Sequence, residues 1–291
     1  MALTSPGLTL SIEALFGHIR PALDIIDALG PTDFSAEAPG LDVKPGATIK
    51  VPLSTVSAAS AFNASSNNYL TGGDTEWASL TASHYLKGFD VTGVNIDQGV
   101  NAPRIKQLFS KRAGVSIAMA AKAAIISALD GTTASTGVKI VASPTLAQYD
   151  ALATAVNWYD PTEACLVVNG TEYAKIKAVM HGANLSATPE SIAAELGFRK
   201  VIVLGSMTAR AVIVPYSSIG FLARVPTLIA SYKESGVETD ETSGLSVGIV
   251  VADDQATNKE VVNADLWFGV AAVSANAAAT TPGIIKVGTQ A

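Results

Sequence analysis

Side chains suited to catalysis or metal binding are few in this chain and lie far apart. The three histidines, His18, His84 and His181, have no partner at the spacing that metal ligands require. The single cysteine, Cys165, lies in the apolar run 164–168 and has no basic neighbour in sequence that would activate its thiol. We therefore expect His84 to be an ordinary strand side chain and Cys165 to be a buried, unreactive thiol.

Sequence motifs of known catalytic sites do not add a candidate. The chain has no Walker A phosphate loop and no G-x-G-x-x-G dinucleotide motif, and we expect no nucleophile elbow. Gly114-Val115-Ser116 falls within a predicted helix, where such an elbow cannot form. Asp253-Asp254 falls in a predicted turn, where it could bind a cation or form a solvated hairpin tip. We predict no catalytic residue, no metal site and no cofactor.

Positive charge is concentrated in one predicted helix. Residues 101–130 contain five basic side chains and one acidic side chain, although the whole chain has a net charge of −6. Lys106, Lys111, Arg112 and Lys122 belong to this group. The pattern has two interpretations, a solvated helix face or a stripe that faces a polyanion or an acidic partner.

The overall composition excludes several classes of protein. Of 291 residues, 48% are apolar and only 15% are charged, whereas soluble domains usually have about 25% charged residues. Disordered chains have the opposite composition, so disorder is excluded. The first residues lack a basic segment followed by an apolar stretch, and we expect no signal peptide. A weakly charged surface favours a protein that buries its outside against copies of itself.

The strongest predicted element is the helix over residues 101–130. Its apolar side chains recur at helical spacing: Ile105, Leu108, Phe109, Ala113, Ile117, Ala120, Ala121, Ala124, Ile125, Ala128 and Leu129. At 1.5 Å per residue the helix would be about 40 Å long. The stretch 113–129 has the apolarity of a membrane span, but Lys122 near its centre would cost about 2.5–3.5 kcal/mol in a bilayer. We therefore predict a soluble helix.

The residues before this helix predict a long β-hairpin over 47–92. Its first strand, 48–53, alternates apolar and polar side chains, and Pro52 indicates an edge strand. The tip, 63–74, is polar and rich in turn residues, and the returning strand is predicted over 77–92. An isolated two-stranded ribbon is only marginally stable in water, so the hairpin must lie on another surface.

The remaining residues predict an irregular arm followed by mixed helices and strands. The arm has short helices predicted over 12–20 and 22–29. Later helices are predicted over 145–156, 171–180 and 189–196, and strands over 164–168, 200–204, 211–214, 220–225, 228–233, 245–251 and 260–274.

Five stretches, taken in order, resemble a known family over nearly the whole chain. They are HYLKGFDV at 84–91 before the long helix, YDALATA at 149–155 followed by ACLVVNGTEY at 164–173, ELGFRKVIV at 195–203, and DLWFGVAAV at 265–273. This order is similar to that of the tailed-bacteriophage major capsid proteins of the Hong Kong 97 type. There, an extended loop returns into a spine helix, a helix leads to an apolar strand and an Asn, and a closing strand ends the peripheral domain.

The resemblance implies an α+β, Hong Kong 97-like capsid fold with five parts. These are an N-terminal arm (1–46), an extended β-hairpin loop (47–98), the spine helix and peripheral domain (99–157), an axial domain (158–218), and the closing β-strands of the peripheral domain with the C-terminus (219–291).

The resemblance also implies a function and partners. The chain would be a major capsid protein that assembles into pentamers and hexamers, forming an icosahedral shell around the double-stranded DNA of a tailed phage. It would be located in the virion, after assembly in the host cytoplasm. Its partners would be other copies of itself, a separate scaffolding protein, a portal protein, a decoration protein and the packaged DNA, with no membrane.

Two groups of residues would then make contacts between subunits or with the lumen. The basic group Lys106, Lys111, Arg112 and Lys122 would face the lumen or an acidic neighbour. The tip of the extended loop would contact a neighbouring subunit through Asn67, Asn68, Tyr69, Asp74 and Trp77. Lys50 and Lys87 flank the hairpin, but no matching Asn or Glu is found, so the family's isopeptide crosslink is not carried over.

Three alternatives remain at this point. An encapsulin-type nanocompartment shell shares the same fold and would enclose an enzyme cargo in place of DNA. An α/β enzyme with an unrecognised active site would need a concave pocket with converging titratable groups. A secreted surface protein rich in Ala, Thr and Ser is disfavoured by the missing signal peptide.

Overall fold

The computed structural model describes residues 25, 28–29, 32–33, 48–53, 76–81, 83–92, 102–155, 160–216, 218–224, 234–239, 246–254, 259–279 and 283–290. The helices are α1 (Ala102–Asp130), α2 (Leu146–Ala153), α3 (Gly170–Gly182) and α4 (Pro189–Leu196). The strands are β1 (Thr32–Asp33), β2 (Thr48–Leu53), β3 (Glu76–Thr81), β4 (Ser83–Thr92), β5 (Ala134–Ile140), β6 (Cys165–Val168), β7 (Lys200–Val203), β8 (Ala211–Val214), β9 (Ile219–Arg224), β10 (Glu234–Thr239), β11 (Ser246–Asp254), β12 (Lys259–Ala272) and β13 (Ile285–Thr289).

The long strand β12 organises a six-stranded sheet. It pairs antiparallel with β4, β11 and β9, while β10 extends the sheet beyond β11 and β1 extends it beyond β9. Trp267 has a register partner in both β4 and β9, so these two strands must lie on opposite edges of β12. The helix α1 packs across β12 and β4. Its buried side chains Ile117, Ile125 and Leu129 belong to the same core as Leu266 and Phe268 of β12.

A second sheet of five strands, in the order β5-β13-β8-β6-β7, is buried on both faces at its centre. All four residues of β6 and all four of β8 are buried. Cys165 and Val167 of β6 join the core beneath α1, whereas the alternate residues Leu166 and Val168 join a second core with α2, α3 and α4. Continuous apolar runs of this kind are typical of strands covered on both sides.

Two of the three helices of the second core, α3 and α4, have the end signals that their local sequence predicts. Asn169 accepts a hydrogen bond from the backbone N–H of Glu172 at 2.8 Å and so caps the start of α3. Thr188 does the same for Ser191 at the start of α4, with Pro189 at the first helical position. The helix α4 ends at Gly197, whose φ of +76° favours glycine.

The predicted long hairpin is divided between two sheets. β2 and β3 form a separate two-stranded antiparallel ribbon in which Pro52 lies opposite Trp77. After residue 82 the same chain becomes β4, which pairs with β12. The ribbon contacts β12 and β9 of its own chain, and Leu80 in β3 is fully buried. The expectation of one continuous hairpin strand over 77–92 is therefore wrong, because the second half of that strand finds its partner far along the chain.

The other sequence predictions vary in accuracy. The helix over 189–196 and the strand over 211–214 have their predicted bounds, and the long helix begins at Ala102. The strands β5 and β13 were not predicted. The predicted strand over 228–233 and the arm helix over 12–20 lie outside the described residues. Of the second arm helix, Ile25, Ala28 and Leu29 are described, and they are helical.

The predicted domain boundaries group the strands differently from the sheets. The range 99–157 combines α1 with β5 and α2, although β5 belongs to the five-stranded sheet and α2 to the second core. The closing range 219–291 likewise includes β13, which lies between β5 and β8 in the five-stranded sheet. The five-stranded sheet therefore includes one strand from before the range 158–218, β5, and one strand from after it, β13.

The C-terminal end of α1 is joined to the five-stranded sheet by Asp130. Its carboxylate accepts hydrogen bonds from the backbone N–H groups of Thr208 and Ala209 at 2.9 and 2.8 Å. Its backbone carbonyl accepts another from Lys286 Nζ at 2.6 Å. Burial alone would raise the pKa of Asp130, but these backbone hydrogen bonds, with the Lys286 charge, hold that pKa below its ordinary value.

We expect Asp130→Asn to destabilise the subunit by about 1–2 kcal/mol. The Asn side chain has one oxygen that can accept a hydrogen bond, so one of the two backbone N–H groups would lose its acceptor. A carboxyl whose pKa is lower in the folded state than in the unfolded state stabilises the folded protein. For Asp this stabilisation is complete at pH values above the unfolded-state pKa of about 3.9, and it is lost as the pH falls through the folded-state pKa. Urea unfolding at pH 7 and at pH 3 should therefore show a smaller loss for Asp130→Asn at pH 3. Asp150→Asn, at an exposed position of α2, is the matched control, and equal effects of the two substitutions would contradict this role.

Candidate functional site

The basic residues of the long helix do not form one stripe. Lys111 and Arg112 are exposed and Lys122 is half-buried. With about 100° of rotation per residue, these three positions fall within one side of α1, whereas Lys106 falls on the opposite side. The structure describes the backbone of Lys106 but not its side chain. Lys111, Arg112 and Lys122 therefore lie together on one side of α1, and the contacts of the four basic residues stay a prediction.

An apolar line runs between these basic positions. Leu108, Val115 and Met119 are 52%, 43% and 68% exposed, and they lie along one line on the outer side of α1. Leu108 is one of the apolar residues at helical spacing, which predicts a place on the core side of the helix, and for Leu108 this prediction is wrong. The buried stripe follows the i, i+4 series that begins at Ala113 and Ile117, on the other side of the helix.

Within the described residues, one helical stretch, Lys111–Asp130, is long and apolar enough to cross a membrane by length and composition. Its buried side chains belong to the core that α1 shares with β12, which is the arrangement of a core helix.

The predicted contact residues of the hairpin tip are mostly outside the described residues. This holds for Asn67, Asn68, Tyr69 and Asp74. Trp77 lies within β3, in the second residue pair from the end of the ribbon that leads into residues 54–75. The structure therefore places Trp77 on the stem of the ribbon, and the contacts of the tip stay a prediction.

The isolated candidates for chemistry remain apart from one another. His84 lies in β4 and His181 is exposed in the last turn of α3, while His18 lies outside the described residues. Asp253 and Asp254 do not form a turn, because they end β11 and lie opposite Glu260 and Lys259 of β12. In the part of the chain that the structure describes, no group of three His, Cys, Asp or Glu residues could hold a metal ion.

The sequence does contain one match to the spacing of a nucleophile elbow, so the expectation that this spacing is absent is wrong. Gly244-Leu245-Ser246-Val247-Gly248 has the G-x-S-x-G spacing of a nucleophile elbow. Ser246, however, begins the antiparallel strand β11 and lies opposite Thr239 of β10. An elbow requires a sharp turn from a strand into a helix, so this serine is not placed as a nucleophile.

Cys165 is fully buried and helps to hold the N-terminal segment. Its Sγ lies 2.9 Å from the backbone oxygen of Ala28, and the Arg199 guanidinium lies 3.2 Å from the same sulfur. Arg199 also donates a hydrogen bond to the Ala28 oxygen. The prediction of a buried thiol is confirmed, and Arg199 is a neighbour in space that the local sequence did not reveal.

A buried cluster at the carboxyl end of β6 was missed by the sequence analysis. Glu172, in the first turn of α3, is only 1% exposed. Its carboxylate accepts hydrogen bonds from the Tyr149 hydroxyl at 2.7 Å and from Arg210 Nε and Nη2 at 2.9 and 3.0 Å. Lys175 Nζ lies 3.6 Å from the same carboxylate. These residues come from α2, α3 and the start of β8, so no local spacing could have identified them.

The cluster is built to hold elements together and not to transfer protons. Arg210 also donates to the backbone oxygens of Ile140 and Val141, at the end of β5. Burial, followed by the hydrogen bond and charge of Glu172, raises the pKa of Tyr149 far above its ordinary value, so its hydroxyl stays protonated. Each oxygen of the Glu172 carboxylate is occupied by a partner within the protein.

Comparison with solved structures identifies the fold. The chain matches the capsid of Ralstonia phage GP4 with a TM-score of 0.51, at 9% sequence identity and with 84% of each chain covered. It also matches a virus-like particle from Pyrococcus furiosus with a TM-score of 0.52, at 12% identity, with 94% of this chain and 97% of that one covered. No protein-family model matches the chain, and no curated protein matches its sequence.

The chain has the Hong Kong 97-like fold. The predicted α+β fold class is therefore confirmed. Three features of the structure belong to the sequence pattern that suggested it: the long helix α1, the ribbon β2–β3 that precedes it, and the long strand β12 near the end of the chain. At 9–12% sequence identity, the order of these parts indicates the Hong Kong 97-like fold, whereas no single sequence motif does.

Within this Hong Kong 97-like fold, Glu172 is expected to be a major stabilising residue. We expect Glu172→Gln to lower the free energy of unfolding by about 3 kcal/mol, because the Arg210 charge would be left without its buried partner. Urea unfolding of the unassembled subunit, followed by circular dichroism, measures this change. Glu190→Gln is the control, since Glu190 lies in the first turn of α4 but is exposed. A loss below 1 kcal/mol for Glu172→Gln would contradict the assigned role.

Proposed function

We propose that this chain is the major capsid protein of a tailed phage. Subunits would assemble as pentamers and hexamers into an icosahedral shell around a double-stranded DNA genome. The observation that carries the proposal is the fold shared with the capsid of Ralstonia phage GP4 over 84% of both chains. The buried polar cluster supports a structural role, because its ionised groups are paired with one another inside the protein.

Features of the subunit itself support assembly. The ribbon β2–β3 is a two-stranded sheet of its own that lies against β9 and β12 of the same subunit, and we assign the segment between its strands to contacts with a neighbouring subunit. Only 15% of the residues are charged, which suits a surface that neighbouring copies cover. On this proposal, the tip residues Asn67, Asn68, Tyr69 and Asp74 contact the next subunit, with Trp77 at the stem.

The proposal includes the domain arrangement. The axial domain is formed around the predicted range 158–218, with β5 and β13 added because they complete the five-stranded sheet. The peripheral domain contains α1 and the six-stranded sheet. The Asp130 junction then links the spine helix of one domain to the sheet of the other.

Several partners follow from this role. A separate scaffolding protein, a portal protein and a decoration protein would act with the shell, and packaged DNA would make non-specific contacts with its lumen. The subunit would assemble in the host cytoplasm and remain in the virion. Lys106, Lys111, Arg112 and Lys122 are the proposed contacts for the lumen or for an acidic neighbour.

A second candidate is a shell that encloses protein cargo. The observation that supports this candidate is the match to the Pyrococcus furiosus virus-like particle over 94% of this chain. Both candidates require the same self-assembly and differ in what the particle contains. DNA protected from nuclease inside particles from infected cells would support the phage capsid, whereas a co-purifying enzyme would support the protein compartment.

The purified protein is expected to form capsomers or closed particles. Light scattering and negative-stain electron microscopy at increasing protein concentration would detect them. Glu172→Gln provides a useful comparison, because a destabilised subunit should assemble less well at the same concentration. A parent protein that stays monomeric at high concentration, with and without co-expressed phage head proteins, would overturn the proposal.

Deletion of residues 60–75 is expected to weaken assembly but to leave the subunit folded. The deleted residues lie between β2 and β3 in the chain, and the described residues that form the two larger sheets and the two cores lie outside this range. Electron microscopy would report assembly, and circular dichroism with thermal unfolding would report folding. Loss of the folded state would contradict the assignment of this segment to contacts between subunits.

A further inference from the structure

Four described residues near the start of the chain join the two sheets of their own subunit. Ala28 and Leu29 enter the core beneath α1, and the Ala28 carbonyl oxygen contacts Cys165 of β6 in the five-stranded sheet. Thr32 and Asp33, which form β1, pair in parallel with β9 in the six-stranded sheet. We define Ala28, Leu29, Thr32 and Asp33 as the strap.

The Ala28 carbonyl has no hydrogen-bond donor within its own helix. A helical carbonyl accepts from the backbone N–H group three or four residues later. For Ala28 these positions are Pro31, which has no N–H, and Thr32, which belongs to a strand. Arg199 donates a hydrogen bond to this oxygen, and Cys165 Sγ lies 2.9 Å from it. Arg199 therefore supplies the charge-assisted hydrogen bond that this buried carbonyl requires.

The Arg199 side chain is itself oriented by an exposed aromatic ring. Its guanidinium carbon lies 5.4 Å from the centre of the Tyr216 ring, and Tyr216 is 58% exposed. A guanidinium over an aromatic face is a favourable arrangement at the protein surface. The same guanidinium lies 3.2 Å from Cys165 Sγ. Tyr216 thus holds Arg199 on the side from which it reaches the strap.

The strap contributes a small part of the packing that holds the subunit together. Its described core contacts are those of Ala28 and the larger Leu29, and β1 is a two-residue strand at the edge of the six-stranded sheet. The rest of the core beneath α1 comes mostly from α1 and from strands of both sheets. Segments with few buried contacts open at a smaller free-energy cost than the whole protein.

We propose that the strap opens as a unit while the rest of the subunit stays folded, and that Arg199 is the lock that keeps it closed. The closed strap covers the Cys165 sulfur and pairs with the outer edge of β9 at Gly220 and Phe221. The open strap leaves this edge unpaired, and an unpaired edge is a template for pairing with another strand. The strap is therefore a conformational device that controls access to one edge of the six-stranded sheet. It goes beyond the proposed function and does not depend on it.

The reactivity of Cys165 measures opening of the strap, because this residue is the single cysteine of the sequence and is fully buried. The full-length, unassembled subunit is mixed with dithionitrobenzoate at urea concentrations below the unfolding transition. Global unfolding is measured by circular dichroism. We expect a labelling rate that rises only weakly with urea, since opening of the strap exposes little surface. A labelling rate with the urea dependence of global unfolding at every concentration would overturn the proposal.

The Arg199→Gln variant tests the lock. It should raise the labelling rate of Cys165 at low urea about tenfold or more, because the Ala28 carbonyl loses its charged donor. A positive charge near a cysteine favours the reactive thiolate, so loss of the Arg199 charge by itself would slow the reaction. Tyr216→Leu retains Arg199 and should give a smaller increase, of about two- to fivefold.

Two control variants separate the lock from general effects. Lys200→Gln removes a positive charge at the exposed position next to Arg199, and Asp130→Asn weakens the distant junction between α1 and the five-stranded sheet. Both should leave the labelling rate at low urea unchanged. If either control raises this rate as much as Arg199→Gln does, charge or general destabilisation explains the effect and the lock is wrong.

Hydrogen exchange provides a readout that does not use the thiol. In the parent protein, the amides of residues 28–33 should exchange faster than those of the buried strand β6, and in Arg199→Gln they should exchange about tenfold faster again. Circular dichroism should show that both proteins are folded. Exchange of residues 28–33 at the rate of β6 in the parent protein would mean that the strap opens only with the whole subunit, and the proposal would be overturned.

Discussion

The five-stranded sheet is buried on both faces, and most of the subunit is arranged by this constraint. In β8, Val212 and Val214 join the core beneath α1, while Ala211 and Ile213 join the core beneath α2, α3 and α4. Full burial of a Val, Leu or Ile side chain contributes about 1.5–3 kcal/mol. Neither layer can therefore be removed without exposing one face of β6 and β8. The helix α1 and the three smaller helices are held by the same eight central residues, although they belong to different cores.

The same burial explains why the polar side chains of this sheet are used for structure. When a strand is covered on both faces, the residues at its ends can also be shielded from water. Charged groups buried at these ends must therefore be paired. Glu172 and Arg210 satisfy each other beyond the carboxyl end of β6, and Arg210 also satisfies two carbonyl groups at the end of β5. Asp130 does the equivalent for the two backbone N–H groups before β8. In a typical α/β enzyme, this edge would hold the reacting groups. Here it holds the helices to the sheet.

The sequence predicts the elements of this fold better than their partners. Helix α4 is predicted with its bounds because Thr188, Pro189 and Gly197 mark its ends locally. The strand β5 was missed because its ASTGVKI sequence has no regular alternation and is mostly exposed. The continuation of β3 into β4 was predicted, but the change of partner after residue 82 depends on β12, which is about 180 residues away along the chain. The Glu172–Arg210 pair was not predictable for the same reason, since 38 residues separate its members.

The long helix has one side in the core and one side that exposes apolar residues. Its buried side uses small residues such as Ala113 and Ala121, which allow a close approach to the sheet. Its outer side exposes Met119 and Leu108, although exposure of large apolar groups disfavours solubility. A surface that covered this side of α1 would remove Met119 and Leu108 from water, and the packing of α1 against β12 and β4 holds the helix that carries them in place.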